Sequence, residues 1–379
     1  MPEVYQTYLQ RQLSRSEYLL LLLLIQILQS IKQVKLEILA TALPIPITFE
    51  SRRKKLRRFL SLPHLTIERI WHPLLEYWVQ SHLHRADVAY LAIDRTNWGA
   101  INLLMVSWIW NNRAYPVYWS LLSKKGSTNA TEQIQAISQV LELFRAYTIV
   151  VLGDREFCSV ALGDWLKQQR VYFCLRLKRS ESVELEADLW FHLCQLGLKP
   201  GVSLFFNDVK VTKQKGFGTF NLAAKWKRNY PGWSAKEGWF ILTNWSDVES
   251  AVIAYSKRFC IEEMFRDFKA GGYDLEGTAV TGKRFCVLVL LIAIAYTVAT
   301  EQGATITRKG IQKYVGRVKE IGRTYKRHSN FYVGLYAQEW VNFVDKCSGL
   351  VEELLRLSPN KRKYYQKGMR AMELILATF

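Results

Sequence analysis

Two apolar runs, DVAYLAID at 87–94 and YTIVVLGD at 147–154, each close on an aspartate. Runs this apolar suit strands that are covered on both faces, which requires helices packed against the sheet. The surrounding sequence supplies them. After the first run come INLLMVSWIW and RAYPVYWSLL, set apart by the turn residues Trp98-Gly99-Ala100 and Asn111-Asn112. These three runs predict an antiparallel meander. Residues 130–147, ATEQIQAISQVLELFRAY, carry apolar side chains at helical spacing. VALGDWLKQQ then predicts a second helix and VYFCLRL a further strand. The order of three strands, helix, strand, helix, strand requires right-handed crossovers in a mixed sheet, so the fold class is α/β.

The rest of the chain divides by texture. Residues 1–86 read as helical and basic, with one apolar helix over about 16–42 that stops at Leu43-Pro44. Residues 87–179 hold the first part of the sheet. Residues 180–243 are rich in glycine, lysine and aromatics, with short strand-like runs, and predict a β-rich insertion. Helical patterning resumes over 244–302, and a basic helical region fills 303–379.

With 52 Lys and Arg against 33 Asp and Glu, the net charge is +19, a surplus that points to a polyanionic partner. Nucleic acid is the first candidate and an acidic membrane surface the second. The segment SRRKKLRRFL concentrates six cations, Arg52, Arg53, Lys54, Lys55, Arg57 and Arg58, without an acid, which favours phosphate contact over a merely solvated face. None of the six cysteines forms a C-x2-C pair, so a zinc knuckle is disfavoured and reduced thiols in a cytoplasmic protein are expected. His82 and His84 lack further metal ligands nearby. The run at 18–28, YLLLLLLIQIL, follows Arg11 and Arg15 as a signal peptide would, but polar residues continue it as a helix; a buried helix is expected, and no membrane span.

Asp94 and Asp154 stand where their apolar runs end. An acid there is costly inside a sheet and useful at its rim. One such acid reads as a helix cap; two on neighbouring strands point to a divalent cation. A third acid comes from YSKRFCIEEMFRDFK, 255–269. On a continuous helix at about 100° per residue, Tyr255, Arg258, Glu262 and Lys269 fall within about 60° of arc, with Arg266 at the border. Glu263 and Asp267 fall on another face. Two Mg²⁺ or Mn²⁺ ions held by Asp94, Asp154 and Glu262 could clamp both oxygens of an in-line phosphoryl transfer, with the cations of the stripe gripping the strand. A salt-bridged surface stripe is the plain alternative.

The spacing Y-x2-R-x3-E-x6-K, filled by Tyr255, Arg258, Glu262 and Lys269, resembles the signature of DDE transposases of the insertion-sequence-four type. LAIDRTNWG and VVLGDREF resemble that family's two aspartate strands, and a long insertion before the glutamate is typical of it. The resemblance implies a ribonuclease-H-like core with Asp94, Asp154 and Glu262 as catalytic metal ligands. It implies phosphate contacts by Tyr255, Arg258 and Lys269; Arg266 joins them only by its place at the border of the stripe. It implies double-stranded DNA as partner (transposon ends and target), hairpin-mediated cutting and a homodimer on paired ends. Trp226, Trp233, Trp239 and Trp245 are candidates to receive a flipped base, and Phe259 stands where many relatives have tryptophan. Two other readings stay open: a domesticated relative that binds or cuts DNA without transposing, and a basic membrane-associated structural protein.

Overall fold

The computed structural model describes residues 3–212, 218–230, 232, 234–322, 326–342, 344–357 and 359–378. The chain packs as two compact units, His72–Asp267 and a helical unit of Met1–Trp71 with Phe268–Phe379. The helix His72–His82, which the sequence reading grouped with the N-terminal region, belongs to the first of these.

In His72–Asp267 the meander forms as β1 (Val88–Trp98), β2 (Ile101–Trp110) and β3 (Arg113–Leu121), all paired antiparallel. Their connections hold two residues each. Gly99 takes φ +51° in the first, and Asn111 and Asn112 take φ +48° and +58° in the second. Positive φ at both central residues is the hairpin geometry whose twist matches the strands, and asparagine tolerates it. The crossover helix Ala130–Phe144 starts at a capping box, Asn129 with Glu132. It leads to β4 (Thr148–Gly153), which runs parallel to β1; the helix Val160–Gln168 leads to β5 (Tyr172–Arg176), parallel to β4. This is the mixed sheet with helical crossovers, of class α/β, expected from the sequence.

The insertion extends that sheet. Its strands are β6 (Ser182–Glu186), β7 (Leu189–His192), β8 (Ser203–Val211), β9 (Gly218–Lys225) and β10 (Trp239–Thr243). β10 pairs antiparallel with β5, and the ten strands run in the order β3-β2-β1-β4-β5-β10-β9-β8-β6-β7. The hairpin of β6 and β7 was not visible in the sequence, because its runs are only five and four residues long.

In the helical unit the apolar run at 18–28 lies in the helix Arg15–Ile31, with Leu20, Leu21, Leu24, Ile25 and Leu28 buried. The single helix expected over 16–42 is two: Arg15–Ile31 and Leu36–Ala42, bent by 104°. Lys32, at φ +55° and ψ +35°, ends the first in a left-handed cap, so the break precedes the prolines. The helix Gly282–Arg308 is long and apolar enough to cross a membrane, but 89% of its most apolar stretch is buried inside the protein. It is a core helix.

That helix meets Asn330–Val341 backbone to backbone. A Cβ at Gly303 would lie 1.8 Å from the Asn330 carbonyl oxygen, and one at Gly334 would lie 1.8 Å from that of Ala299. Neither backbone can yield without separating the helices. Gly303→Ala is therefore expected to destabilise this unit by about 3 kcal/mol, the upper range for overpacking. Urea denaturation of the variant beside wild type checks this; an unchanged midpoint would contradict the close crossing.

Candidate active site

Asp94 and Asp154 are brought side by side by the parallel pairing of β1 and β4, whose last register pair is Ile93 with Gly153. Asp94 does not end its strand, as the sequence suggested. β1 continues to Trp98 on its other edge, paired with β2, so Asp94 stands where β1 outruns β4. Asp154 follows β4 directly and is not a helix cap. Its Oδ1 accepts from the Glu156 amide at 2.9 Å, while Ser159 caps the helix Val160–Gln168. A side chain at Gly153 would strike Phe157 and Leu175, which explains the glycine before the acid.

The third acid comes from a broken helix. The continuous helix expected over 255–269 is two: Val248–Ser256, then a turn at Lys257 and Arg258, then Phe259–Phe268. The turn is tightened by i to i+3 bonds: the amides of Lys257, Arg258, Cys260 and Ile261 donate to the carbonyls of Ala254, Tyr255, Lys257 and Arg258 at 3.0–3.1 Å. A single angular stripe from Tyr255 to Lys269 is therefore not formed. Within Phe259–Phe268 the phase holds: Ile261, Met264, Phe265 and Phe268 are buried, and Glu262, Glu263 and Arg266 are exposed.

Arg258 lies between two of the acids. Its side chain is only 5% exposed; Nη1 donates to Asp94 Oδ2 at 3.3 Å, and Nη2 donates to Glu262 Oε1. Glu262 is half exposed. Glu263 and Asp267, set apart from Glu262 by helical phase, both pair with the buried Arg113 of β3. Tyr255 is fully buried, its ring against Trp239 at 5.0 Å and Phe259 at 6.4 Å. Burial raises its hydroxyl pKa, with Arg258 and Arg176 opposing. Lys269 lies in the helical unit and pairs with Glu276 at 2.7 Å.

The Asp94 carboxyl is pushed up to about 7. Burial is the main cause, and the charges of Asp154 and Glu262 add to it; the Arg95 amide and Arg258 oppose it. Three carboxylates thus act on one locus, with one buried guanidinium as partial compensation. Among the described residues, no three acidic, histidine or cysteine side chains stand at the mutual distances of a formed metal cage.

Two residues outside the set expected from the sequence, Arg95 and Glu156, tie the locus together; Glu156 is not the helix cap that its place beside Asp154 suggests, since Ser159 caps that helix. Glu156 accepts from Arg95 Nε and Nη2, both at 2.9 Å, and from the amide and hydroxyl of Thr128 at 2.9 and 3.0 Å. Their signal was present: Arg95 adjoins the first aspartate and Glu156 lies two residues past the second. The basic run falls in the helix Phe49–Phe59 of the other unit. There Arg52 donates to the Ala40 and Ile47 carbonyls, and Arg53 pairs with Glu37 and Glu50, so groups from outside the run occupy two of its six cations. Lys54, Arg57 and Arg58 are exposed and Lys55 half-buried. Of the four tryptophans, Trp226 donates to the Ala235 carbonyl, Trp239 covers Tyr255 and Trp245 stacks on Tyr172 at 4.8 Å. Trp233 lies outside the described residues.

Among solved structures the chain is similar to a piggyBac transposase synaptic complex with hairpin DNA, at 11% identity and a TM-score of 0.44, covering 91% of this chain and 73% of that one. It is also similar to the Argonaute of Marinitoga piezophila, at 10% identity and a TM-score of 0.24, covering 58% and 34%. No curated protein matches it. The family model for the transposase DDE domain matches residues 107–298, just over half of the chain, a span that contains Asp154 and Glu262 and begins after Asp94. By this match over more than half of its length, the chain belongs to the DDE transposase family.

Proposed function

We propose that the protein is an insertion-sequence transposase of the insertion-sequence-four type, which cuts double-stranded DNA at the element's ends and joins the freed 3′ ends to a target. The observation that carries this is the geometry at the rim of the mixed sheet: the parallel register of β1 and β4 sets Asp94 beside Asp154, and Arg258 bonds both Asp94 and Glu262. Two half-buried aspartates and a more exposed glutamate sharing one locus repel one another in a free protein, and a dication would relieve them. Their hard oxygen donors suit Mg²⁺ or Mn²⁺. Asp94, Asp154 and Glu262 would hold the ions. When bound, such ions neutralise charge at the attacking and leaving oxygens of an in-line phosphoryl transfer.

The chain's other groups bind and orient. Arg258 now neutralises Asp94 and Glu262, and a phosphate would offer it an alternative planar, bidentate partner. Arg266 and Lys269 would take flanking phosphates. Tyr255, beneath Arg258, would set the height of the guanidinium or, once exposed, donate to a phosphate. Lys54, Lys55, Arg57 and Arg58 would add sequence-independent contacts, with Arg52 and Arg53 holding their helix in place. A homodimer on paired ends and a hairpin route complete the reading.

The test is incubation of the full chain with double-stranded DNA from the flanks of its own gene, with Mg²⁺ or with chelator. Metal-dependent nicks at discrete positions near inverted repeats are expected. DNA that is bound but never cut with either Mg²⁺ or Mn²⁺ would reduce the protein to a DNA-binding relative.

A further inference from the structure

The two aspartates are not held by their strands alone. Each has its Oδ1 fixed by a backbone amide: Asp94 by that of Arg95 at 2.7 Å, Asp154 by that of Glu156 at 2.9 Å. The side chains of those same two residues, Arg95 and Glu156, form a bidentate fork with each other. The fork is anchored at both ends. Arg95 Nη1 donates to Asn102 Oδ1 at 3.0 Å, and Asn102 Nδ2 holds the Lys124 and Gly126 carbonyls at 2.7 and 3.1 Å. Thr128 binds Glu156 through its amide and hydroxyl, and Gln133 reaches the Thr128 hydroxyl at 2.9 Å and the Glu156 carbonyl at 3.3 Å. Arg95 and Glu156 are both mostly buried.

β1 and β4 share no hydrogen-bond register beyond Ile93 and Gly153. Past that pair, the separation of the two carboxylates depends on what bridges the strand ends. We infer that Glu156 and Arg95 are positioning residues: their fork sets the distance between Asp94 and Asp154 and so sets the site's affinity for a divalent cation. Glu156 is not itself a ligand in this scheme. Oε1 already takes Arg95 Nε and both Thr128 donors, and Oε2 takes Arg95 Nη2. Outer partners that orient ligating carboxylates commonly change metal affinity about 10–100-fold when removed. The inference rests on the reading of Asp94 and Asp154 as metal ligands.

The experiment is a Mn²⁺ titration of the full chain with its flanking DNA, read as free and bound ion by electron paramagnetic resonance, beside a thermal melt. The proteins are wild type, Glu156→Ala, Arg95→Lys and Glu262→Gln. Glu156→Ala and Arg95→Lys are expected to raise the half-saturating Mn²⁺ concentration about 10–100-fold. Lysine keeps the charge but cannot form the fork, so it decides the matter if Glu156→Ala does not fold. A lowered melting point with a Mn²⁺ isotherm within twofold of wild type would make the fork merely structural and overturn the inference. If wild type binds Mn²⁺ no better than Glu262→Gln, the metal reading beneath fails, and the positioning role with it.

Discussion

Glu262→Gln is expected to lower strand cleavage by at least about 10³-fold, while Glu263→Gln leaves it within about twofold. Loss of an ion-holding carboxylate removes several kcal/mol of transition-state stabilisation, and each 1.36 kcal/mol is about tenfold in rate. The neighbouring acid has a different task. Glu263 is half exposed and pairs with Arg113 at 3.3 Å, a contact of the kind that contributes at most about 1 kcal/mol, and Arg113 keeps Asp267 when it is lost. Single-turnover cleavage of end DNA by both variants gives the comparison. DNA affinity measured alongside separates a lost chemical step from lost binding.

Asp94→Asn should make the metal-free protein more stable at pH 8 and leave it nearly unchanged at pH 4. The Asp94 carboxyl is raised from its ordinary 3.8 to about 7 in the folded chain, so between those values the folded state holds a proton that the unfolded state has released. Stability therefore falls as pH rises from about 4 to about 7 and is level above that. The full penalty is about 4 kcal/mol at 1.36 kcal/mol per pH unit, an upper figure for what asparagine recovers. Asparagine stays neutral and can still accept from the Arg95 amide, and Arg258 keeps Glu262. Thermal melts in chelator across this pH range check the sign. A variant less stable than wild type at pH 8 would mean that Arg258 already compensates Asp94 in full.

The core sheet was legible because its signals are local. Apolar runs, a helical period between them and turn residues such as Asn111-Asn112 gave the five strands and two crossovers in order. The place of Asp154 followed from a strand end and the separation of Glu262 from Glu263 from helical phase, whereas Asp94 lies inside β1 rather than at its end. The turn at Lys257 and Arg258 was not legible, since nothing in SKRFC forbids a helix. It forms where Tyr255 and Arg258 are buried and Arg258 reaches Asp94, a tertiary demand that overrides propensity. The break at Lys32 is similar: a lysine in a left-handed cap carries no glycine to announce it. The fork of Arg95 and Glu156 spans 61 positions, and only the parallel register of β1 and β4 brings its halves together. The insertion's place was hidden for the same reason. β8, β9 and β10 were visible as runs, but their addition to the edge of β5 depends on which edge the core leaves open.

The central claim is that Asp94, Asp154 and Glu262 hold a divalent cation during DNA cleavage, and exchange of ligand softness tests it most directly. Asp154→Cys replaces a hard oxygen with a thiolate, which Mg²⁺ binds poorly and Mn²⁺ accepts more readily. Cleavage by Asp154→Cys is predicted to be lost in Mg²⁺ and to return at least in part in Mn²⁺, with Asp154→Ala inactive in both. Equal activity of Asp154→Cys in the two ions, or recovery of Asp154→Ala in Mn²⁺ to the same extent, would contradict it.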